Sequence, residues 1–407
     1  MKLRVVYLVD ETLEHPVLQS QSLAIMERLL GAGIAMDLLI ANGASAAREE
    51  EIARRHLGAG PGVLVLSRRH RGGGALAKAQ RALRRALARR RAARFIRETG
   101  SGDNPLVLHA RGSAMHLGAY LRTQFEDARL LIDARGDAAA EARFNLAGKT
   151  GERRAQAVDR MDARAFARAD HVLCVSAVLL AEIQARFAIA CPSTVVPCVA
   201  DERRFFPDAE RRAQGRASLG LGSEPLLAYA GSIGQWHQFE STLGAFEKVA
   251  RENAQARFLV ATRDPEKAAA RVAARPELQA RTLVRHGDPD EVARWLNAAD
   301  VGLLLREPHP LNRVACPTKF AEYVLSGSSV VASEEIGDLA GWVRNLDLGT
   351  CIRGADVPAA AAACLELIAK GGDRIGRARR ASAVLSMGAR LQDWVDAYQS
   401  AASRPAS

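Results

Sequence analysis

The sequence predicts an α/β protein with two doubly wound parallel sheets, each forming its own domain. Short apolar runs alternate with amphipathic segments along the whole chain, which is the pattern of buried parallel strands joined by helices. At 407 residues the chain is too long for one ordinary domain, and two domains of about 200 residues are expected. The number of apolar runs also fits two open sheets better than one closed barrel.

Each apolar run is expected to form one strand. In the first half the runs are Leu3–Val9, Met36–Ile40, Val63–Leu66, Leu106–Leu108, Leu130–Ile132 and Val172–Val175. In the second half they are Leu226–Ala230, Phe258–Ala261, Thr282–Val284, Val301–Leu305 and Ser329–Ala332. Three prolines and a charged stretch separate the two sets. We therefore expect a first domain of residues 1–195, a second of residues 196–385, and a final amphipathic helix with a short tail in residues 386–407.

The composition is that of a soluble globular protein, with 48% apolar and 25% charged residues. No apolar run reaches about 18 residues and no signal-peptide pattern is visible, so we expect neither a membrane span nor secretion. Six cysteines are scattered without a Cys-x2-Cys pair, which argues against a metal site and fits a reducing compartment. These features predict a cytoplasmic protein without a bound metal.

The net charge of +11 indicates an acidic partner, such as a nucleotide diphosphate, an anionic membrane surface or a nucleic acid. The densest basic stretch, residues 78–97, is expected to be a helix. Its apolar stripe is formed by Leu76, Ala79, Leu83, Ala86 and Leu87. A solvated helix face is the first interpretation, and peripheral contact with the inner face of a membrane is the second. Nucleic acid is not expected, because no binding module is visible and only 5% of the residues are aromatic.

Ligands of open α/β sheets bind at the carboxyl ends of the strands, so the residues that follow each apolar run are candidates for a binding site. Two such domains facing each other would form an interdomain cleft. The most informative stretch follows the run Val301–Leu305 and reads Pro317-Thr318-Lys319-Phe320-Ala321-Glu322-Tyr323. Pro317 suits the start of a helix and Gly327 suits its C-terminal cap. The pattern predicts a short helix whose first amides can receive a phosphate.

Two charged residues of this helix are expected to share one face, since Lys319 and Glu322 are three positions apart. Lys319 places a cation in the first turn, which is unfavourable unless an anion binds there. Glu322 can accept hydrogen bonds from two ribose hydroxyls. The alternative is a capped surface helix in which the two residues only pair with each other.

These motifs and their order resemble the retaining family-4 glycosyltransferases of the GT-B type. The stretch Pro317–Tyr323, followed by a glycine and a valine-rich strand, is similar to the donor site of that family. Three further stretches resemble the family's interdomain linker, the glycine-rich turn of its donor domain and the strand that closes its acceptor domain. They are Val196–Asp201 with Phe205–Pro207, Tyr229–Trp236, and His171–Ser176. The resemblance spans most of the chain.

The resemblance implies that the C-terminal domain binds a nucleotide-diphospho-sugar donor. The N-terminal domain would bind the acceptor, which is a sugar, a lipid-linked molecule or a small molecule. It also implies that the C-terminal helix packs back on the N-terminal domain. Transfer would retain the anomeric configuration and need neither a cofactor nor a metal.

Individual residues can be matched to the family's donor motif. Glu322 corresponds to the second acid of its Glu-x7-Glu motif, which binds the donor ribose, and Lys319 would neutralise the diphosphate. Gly231 would let the backbone approach the phosphates. The donor-binding residues implied in this way are Gly231, Ser232, Gly234, Arg313, Pro317, Thr318, Lys319 and Glu322.

Two positions depart from the family pattern. The first acid of the Glu-x7-Glu motif would fall at Val314, and Glu307 is a candidate substitute. Ser232 stands where an arginine is common, so one of the two cations expected at the diphosphate is missing from that turn. Arg306 and Arg313 are the candidates to replace it.

Polar clusters follow two neighbouring runs of the first domain. They read His109-Ala110-Arg111-Gly112-Ser113 and Asp133-Ala134-Arg135-Gly136-Asp137, and they are similar to a bacterial subgroup of the same family. Arginines there can hold the leaving diphosphate or an acidic acceptor, and Asp or His can orient an acceptor hydroxyl. The catalytic residues predicted are His109, Arg111, Asp133, Arg135 and Lys319. The alternative is an ion-pair network, Asp133–Arg135 and Asp137–Arg111, that only stabilises the loops.

Three other functions fit parts of the pattern. A nucleotide-sugar epimerase on the same fold would give a product without any acceptor. A catalytically degenerate protein would bind the nucleotide sugar without turnover, and the missing acid and arginine favour it slightly. A two-domain dehydrogenase is disfavoured because no Gly-x-Gly-x-x-Gly motif follows Val9.

Overall fold

The computed structural model describes residues 3–67, 75–99, 104–146 and 148–404. The chain divides into two compact units. The first contains Met1–Val196 together with Leu391–Ser407, and the second contains Pro197–Arg390. Each unit is built on one parallel sheet, as the alternation of apolar runs and amphipathic segments predicts.

The first unit has a seven-stranded sheet in which the strand order is β3-β2-β1-β4-β5-β6-β7. Its strands are β1 (Arg4–Val9), β2 (Ala35–Gly43), β3 (Val63–Ser67), β4 (Leu106–Arg111), β5 (Arg129–Ala134), β6 (His171–Cys174) and β7 (Ser193–Val195). Its helices up to the linker are α1 (Pro16–Leu18), α2 (Ala24–Gly31), α3 (Ala46–Leu57), α4 (Ala75–Thr99), α5 (Met115–Arg122), α6 (Ala138–Asn145), α7 (Gly148–Phe166) and α8 (Ala177–Arg186). A π-helical turn, Gln19–Leu23, connects α1 and α2, and a 3-10 turn, Gly112–Ala114, follows β4.

The second unit has a six-stranded sheet in the order β10-β9-β8-β11-β12-β13. Its strands are β8 (Leu226–Ala230), β9 (Arg257–Ala261), β10 (Thr282–Arg285), β11 (Val301–Leu304), β12 (Ser329–Ser333) and β13 (Gly349–Ile352). Its helices are α9 (Ala209–Ser218), α10 (Phe239–Glu252), α11 (Pro265–Ala273), α12 (Pro276–Gln279), α13 (Pro289–Ala298), α14 (Pro310–Arg313), α15 (Thr318–Leu325), α16 (Leu339–Asn345), α17 (Val357–Lys370) and α18 (Arg374–Leu385). A 3-10 turn, Gln235–His237, precedes α10.

Both sheets reverse their strand order at one point, between β1 and β4 in the first unit and between β8 and β11 in the second. In doubly wound sheets, ligands bind in the crevice outside the carboxyl ends of the strands at such a switch point. Asp10 and Arg111 lie there in the first unit, while Gly231 and Arg306 lie there in the second. The strand order alone therefore makes these four residues candidates for a binding site.

The apolar runs form strands because both faces of each sheet are covered. All five residues of β8, for example, are buried, which is why a continuous apolar run rather than an alternating one encodes it. The sequence did not predict β7 and β13. Both are edge strands with mostly half-buried residues, Ser193–Val195 and Gly349–Ile352, so they lack the apolar run on which the prediction depends.

The last helix, α19 (Met387–Ala402), begins in the second unit and continues into the first, which holds the chain from Leu391 onward. Trp394 and Tyr398 are its large buried side chains, at 2% and 0% exposure. Its contacts with the first unit include the hydrogen bond that joins Ser400 to His171. Residues 405–407 of the predicted tail lie outside the described part of the chain.

The basic helix α4 differs from its sequence-based description. Leu83 and Leu87, which belong to the expected apolar stripe, are 63% and 49% exposed. The helix instead packs through a later set of residues, Ala92, Ala93 and Ile96. The expected stripe is therefore wrong at the described positions 83, 86 and 87, because these side chains are exposed and the buried side chains described on α4 lie in its C-terminal turns. The side chains of Leu76 and Ala79 lie outside the described residues.

No helix in the described ranges is both long and apolar enough to cross a membrane.

Candidate functional site

Helix α15 forms as the motif predicts. Pro317 occupies its N-cap position, and Gly327 follows its C-terminal cap with φ of +83°. The Gly327 N–H donates to the carbonyl of Val324 at 3.1 Å, and a glycine is favoured here because this backbone conformation is left-handed. The first turn of α15 thus faces the end of the sheet with a free helix start, which is a favourable place for an anion.

Lys319 and Glu322 lie on the same face of α15, as their spacing predicts. The Lys319 ammonium donates to Glu322 Oε2 at 2.5 Å. The Lys319 side chain is 34% exposed, whereas that of Glu322 is 5% exposed. The ion pair of the alternative interpretation is therefore present. It leaves Glu322 Oε1 without a hydrogen-bond donor from the described residues, so the carboxylate retains acceptor capacity.

Tyr323 fastens α15 to the two central strands of the second sheet. Its hydroxyl accepts a hydrogen bond from the Ala230 N–H at 2.6 Å, at the end of β8. Its ring lies against Gly302 of β11, where an added Cβ would come within 2.5 Å of the Tyr323 ring. Burial raises the pKa of Tyr323 far above its ordinary value. This tyrosine, the last residue of the sequence motif, thus holds helix α15 beside the switch point of the sheet.

A small recess lies at the switch point of the second sheet. It is lined by Tyr229, Ala230, Gly231, His237, Leu304, Leu305, Arg306 and Lys319. A Cβ at Gly231 would stand 3.3 Å from the Tyr229 hydroxyl, so the glycine keeps the backbone open at this position. The recess thus combines exposed backbone, two cationic side chains and the first turn of α15.

The turn after β8 is held together by its own polar side chains. The Trp236 indole N–H donates to His237 Nε2 at 3.2 Å, which leaves the proton on Nδ1, and Nδ1 lies 3.1 Å from Ser232 Oγ. Burial, reinforced by the charge of Arg306, lowers the pKa of His237 to about 3. The histidine is therefore neutral at pH 7. Ser232 and the neutral His237 form a hydrogen bond with each other, and neither supplies a cation to the recess.

Arg306 projects into the recess from the end of β11. Its backbone N–H donates to Ser333 Oγ at 2.8 Å, and its guanidinium donates to the Trp236 carbonyl at 3.4 Å. No carboxylate pairs with this guanidinium among the residues that the structure describes. Burial lowers the pKa of Arg306 to about 10, although the neighbouring tyrosines partly offset this effect.

The other predicted donor residues are placed as follows. Arg313 is exposed at the end of α14 and does not line the recess. Val314 is 2% exposed, so the position of the family's first acid is apolar and buried. Glu307 is exposed and accepts a hydrogen bond from Gln238 at 3.2 Å. Gly234 is packed against His237, where an added Cβ would lie 3.0 Å from the ring.

In the first unit, strand β4 continues through Arg111, so His109 lies inside the sheet rather than beyond it. Its side chain is fully buried, with Nδ1 2.8 Å from the Tyr398 hydroxyl and Nε2 3.5 Å from Asp133 Oδ2. The Tyr7 ring packs on it at a centroid distance of 4.2 Å. This placement differs from the expectation that His109 meets an acceptor hydroxyl. In this arrangement it positions Asp133.

Asp133 lies between Arg135 and His109 at the end of β5. Arg135 Nη1 donates to Asp133 Oδ1 at 3.4 Å, and Arg135 Nη2 donates to Gln21 Oε1 at 3.1 Å. Burial alone would raise the pKa of Asp133, but the charge of Arg135 and the hydrogen bond with His109 hold it well below its usual range. The carboxylate is therefore ionised at pH 7.

Arg111 is the partner of Asp133 in the register of β4 and β5, so both side chains project from the same face. Its guanidinium makes no ion pair with the described residues, and its buried Nε–H has no acceptor. Asp137 caps α6 and pairs with Arg186 at 2.6 Å. The alternative ion-pair network is thus present as Asp133–Arg135 but absent as Asp137–Arg111 in the described chain.

Residues 224–370, which contain the whole recess, match the family model described as glycosyl transferases group 1. The match covers 147 of the 407 residues, all of them in the second unit. No curated protein sequence matches this chain.

Solved structures similar to this chain share its architecture over nearly its whole length. Sucrose-phosphate synthase from Thermosynechococcus elongatus is 17% identical with a TM-score of 0.70, and the match covers 98% of both chains. Anabaena HepE in complex with UDP-glucose is 14% identical with a TM-score of 0.72, covering 98% of this chain and 100% of that one. A glycosyltransferase from Rickettsia africae is 13% identical with a TM-score of 0.72, covering 99% and 100%. The fold is GT-B, as the sequence predicts.

Three polar residues of these two sites were not among the predicted functional residues. They are Gln21, Tyr323 and Tyr398. Gln21 lies in the π-helical turn, a feature that often marks functional sites but has no sequence signature. Tyr398 reaches His109 from 289 positions away, a pairing that no local pattern reveals. Tyr323 does carry a signal, since it is the last residue of the predicted motif.

Proposed function

We propose that the second unit binds a nucleotide-diphospho-sugar and that the first unit binds the acceptor whose hydroxyl receives the sugar. The observation that carries this proposal is the recess at the switch point of the second sheet. There the first turn of α15, Lys319 and Arg306, which has no carboxylate partner in the described part of the chain, surround an open stretch of backbone at Gly231. A diphosphate is the anion that such a combination of helix amides and cations suits.

In this proposal each donor contact has its own residue. Glu322 accepts the ribose hydroxyls, because its carboxylate is fixed by Lys319 and keeps one oxygen without a donor among the described residues. Lys319 and the amides of the first turn bind the diphosphate. UDP-glucose is the first donor to test, since Anabaena HepE is in complex with it.

The acceptor side is assigned to the cluster at the ends of β4 and β5. The Asp133 carboxylate is ionised and rigidly held by Arg135, so it can accept a hydrogen bond from an acceptor hydroxyl. Arg111 projects beside it with donor capacity to spare. The acceptor is a sugar, a lipid-linked molecule or a small molecule with a free hydroxyl.

The chemistry is transfer with retention and without a metal ion. When the sugar leaves the donor, negative charge develops on the diphosphate, and preorganised cations and amides stabilise that charge best in a site from which water is excluded. The recess offers these groups, whereas the apolar Val314 offers no carboxylate. We place the enzyme in the cytoplasm, where nucleotide sugars are made.

Glu322→Ala tests the donor site. Isothermal titration with UDP-glucose should show at least a tenfold loss of affinity, because a buried hydrogen bond to a charged group contributes about 1.5–3 kcal/mol. Glu366→Ala, an exposed glutamate on α17, is the matched control and should bind like the wild type. Equal binding by wild type and Glu322→Ala would contradict the assignment.

Transfer assays with radiolabelled nucleotide sugars separate the alternatives. A labelled product that forms only with acceptor supports a transferase. A new nucleotide sugar without acceptor identifies an epimerase, and binding without any product identifies a degenerate binding protein.

Helix α4 is proposed as a peripheral membrane contact. Its leucines Leu83 and Leu87 are exposed among arginines, a combination that favours an anionic lipid surface. Replacing both leucines with glutamine should reduce sedimentation with phosphatidylserine vesicles. Ile375→Gln, which removes an equally exposed side chain in the second unit (70% exposed), should not. Unchanged sedimentation of the leucine variant would exclude α4 as the contact.

A further inference from the structure

The departing diphosphate needs more positive charge than Lys319 supplies. Lys319 is already paired with Glu322 at 2.5 Å, so much of its charge is balanced within the protein. The turn after β8 contains no lysine or arginine between Gly231 and Gln238. Its histidine, His237, is neutral because burial and hydrogen bonding to Trp236 fix it in that form.

The neighbouring strand supplies the missing cation. Arg306 follows β11, which lies directly beside β8 at the switch point of the sheet. Its guanidinium lines the same recess as Gly231 and Lys319. The side chain of Arg306, which follows β11, thus reaches the space that a cationic side chain of the turn after β8 would otherwise occupy.

The surroundings of Arg306 favour the binding of an anion. The one hydrogen bond that its guanidinium makes to a described residue is the 3.4 Å contact with the Trp236 carbonyl, and no described carboxylate lies within ion-pair distance. Buried charges in proteins are normally paired, since an unpaired one is costly to remove from water. By contrast Arg374, another largely buried arginine of this unit, donates to the carbonyls of Ser326, Asn297 and Ala299 at 2.6–3.0 Å.

We propose that Arg306 binds the diphosphate of the donor and stabilises the charge that develops on it during transfer. This inference rests on the proposed function. In the reaction the bond between the sugar C1 and the diphosphate oxygen breaks, and its electron pair stays on that oxygen. The acceptor oxygen bonds to C1, and the acceptor proton passes to the departing diphosphate. Arg306 is a catalytic residue in this scheme because it contacts the leaving group.

The test compares Arg306→Ala and Arg306→Lys with wild type and with Arg379→Ala, an exposed arginine on α18. Arg306→Ala should lower kcat for transfer by about 100-fold or more, the usual effect of removing one such donor. It should weaken UDP binding at least tenfold and leave binding of uridine, which has no phosphate, unchanged. Arg306→Lys keeps the charge and should recover part of both losses.

Thermal unfolding separates a ligand role from a structural one. Without ligand, Arg306→Ala should unfold at the same temperature as wild type or higher, because it removes a half-buried guanidinium that has no carboxylate partner among the described residues. Its stabilisation by UDP should be smaller than that of wild type. A lower melting temperature without ligand, together with unchanged UDP binding and kcat, would overturn the proposal.

Failure of the proposed function has a different signature. Wild-type protein that binds neither UDP nor GDP nor ADP, and transfers no sugar, would contradict the donor site as a whole. Wild type that binds and transfers, with an Arg306→Ala variant equal to it, would contradict only the role of Arg306.

Discussion

The charged side chains at the strand ends of the two units are balanced in different ways. In the first unit, Asp133 is paired with Arg135 and joined to His109, and Gln21 takes a further hydrogen bond from Arg135. Most of the polar groups there satisfy one another. In the second unit, Arg306 has no described carboxylate partner and the first turn of α15 is open.

The difference indicates what each site is prepared to bind. A carboxylate that is already paired, such as Asp133 with Arg135, can orient a hydroxyl group without attracting an ion. A recess with unbalanced positive charge requires an anion to become stable and binds a diphosphate with little reorganisation. A transferase needs both kinds of site, one for the leaving group and one for the acceptor.

The largest expected effect is that of Lys319→Ala in the second unit. Loss of the ammonium should lower kcat by about 100-fold to 1,000-fold, because the developing charge on the diphosphate loses one stabilising group. Lys370→Ala, at the exposed end of α17, should leave kcat unchanged. A Lys319→Ala enzyme with a normal kcat and a raised acceptor KM would instead assign Lys319 to the acceptor.

Asp133→Asn should have the largest effect on folding in the first unit. It leaves Arg135 buried beside a neutral amide, and breaking a buried ion pair in this way costs about 3 kcal/mol. Urea unfolding of the variant measures this loss. Glu98→Gln, which breaks the exposed pair with Arg94, should cost no more than about 0.5 kcal/mol. Similar losses of unfolding free energy in the two variants would mean that Asp133 and Arg135 do not form a strongly stabilising ion pair.

Gly302→Ala tests the contact that fixes α15 to the second sheet. The added methyl group would stand 2.5 Å from the Tyr323 ring, and overpacking of this kind costs about 1–3 kcal/mol. Gly341→Ala, where nothing lies within 4 Å, is the control and should not destabilise the protein. A double variant with Tyr323→Leu should recover part of the stability lost in Gly302→Ala, and failure to do so would place the strain elsewhere.

The smallest expected effect is a loss of stability at low pH, to which buried histidines of both units contribute. Burial lowers the pKa of His109, and it lowers that of His171 to about 4. The unfolded chain binds these protons near pH 6.5, so below that pH it holds more protons than the folded chain and stability falls. Lowering the pH from 7 to 5 should reduce the free energy of unfolding by about 1–2 kcal/mol for His171.

His171→Gln provides the check on this pH dependence. The variant should show a smaller difference in unfolding free energy between pH 7 and pH 5 than the wild type. An unchanged difference would mean that His171 is protonated equally readily in both states.

Much of the architecture was predicted from the sequence, and the exceptions have physical reasons. The central strands were found because both faces are buried, so that their residues are apolar without interruption. The edge strands β7 and β13 were missed because they are half-buried and mixed in polarity. The stripe on α4 was misplaced because Leu83 and Leu87, although periodic, are exposed, and the helix packs through Ala92, Ala93 and Ile96 instead.

The sequence by itself determined the two sheets, the helix between Pro317 and Gly327, and the pairing of Lys319 with Glu322. These are local features, in which burial and turn geometry act on residues close together along the chain. Only the tertiary structure decided that Arg306 stands beside Gly231 and that Tyr398 reaches His109. Such contacts depend on the order of strands in a sheet and on where the last helix packs. Neither can be predicted from a local sequence pattern.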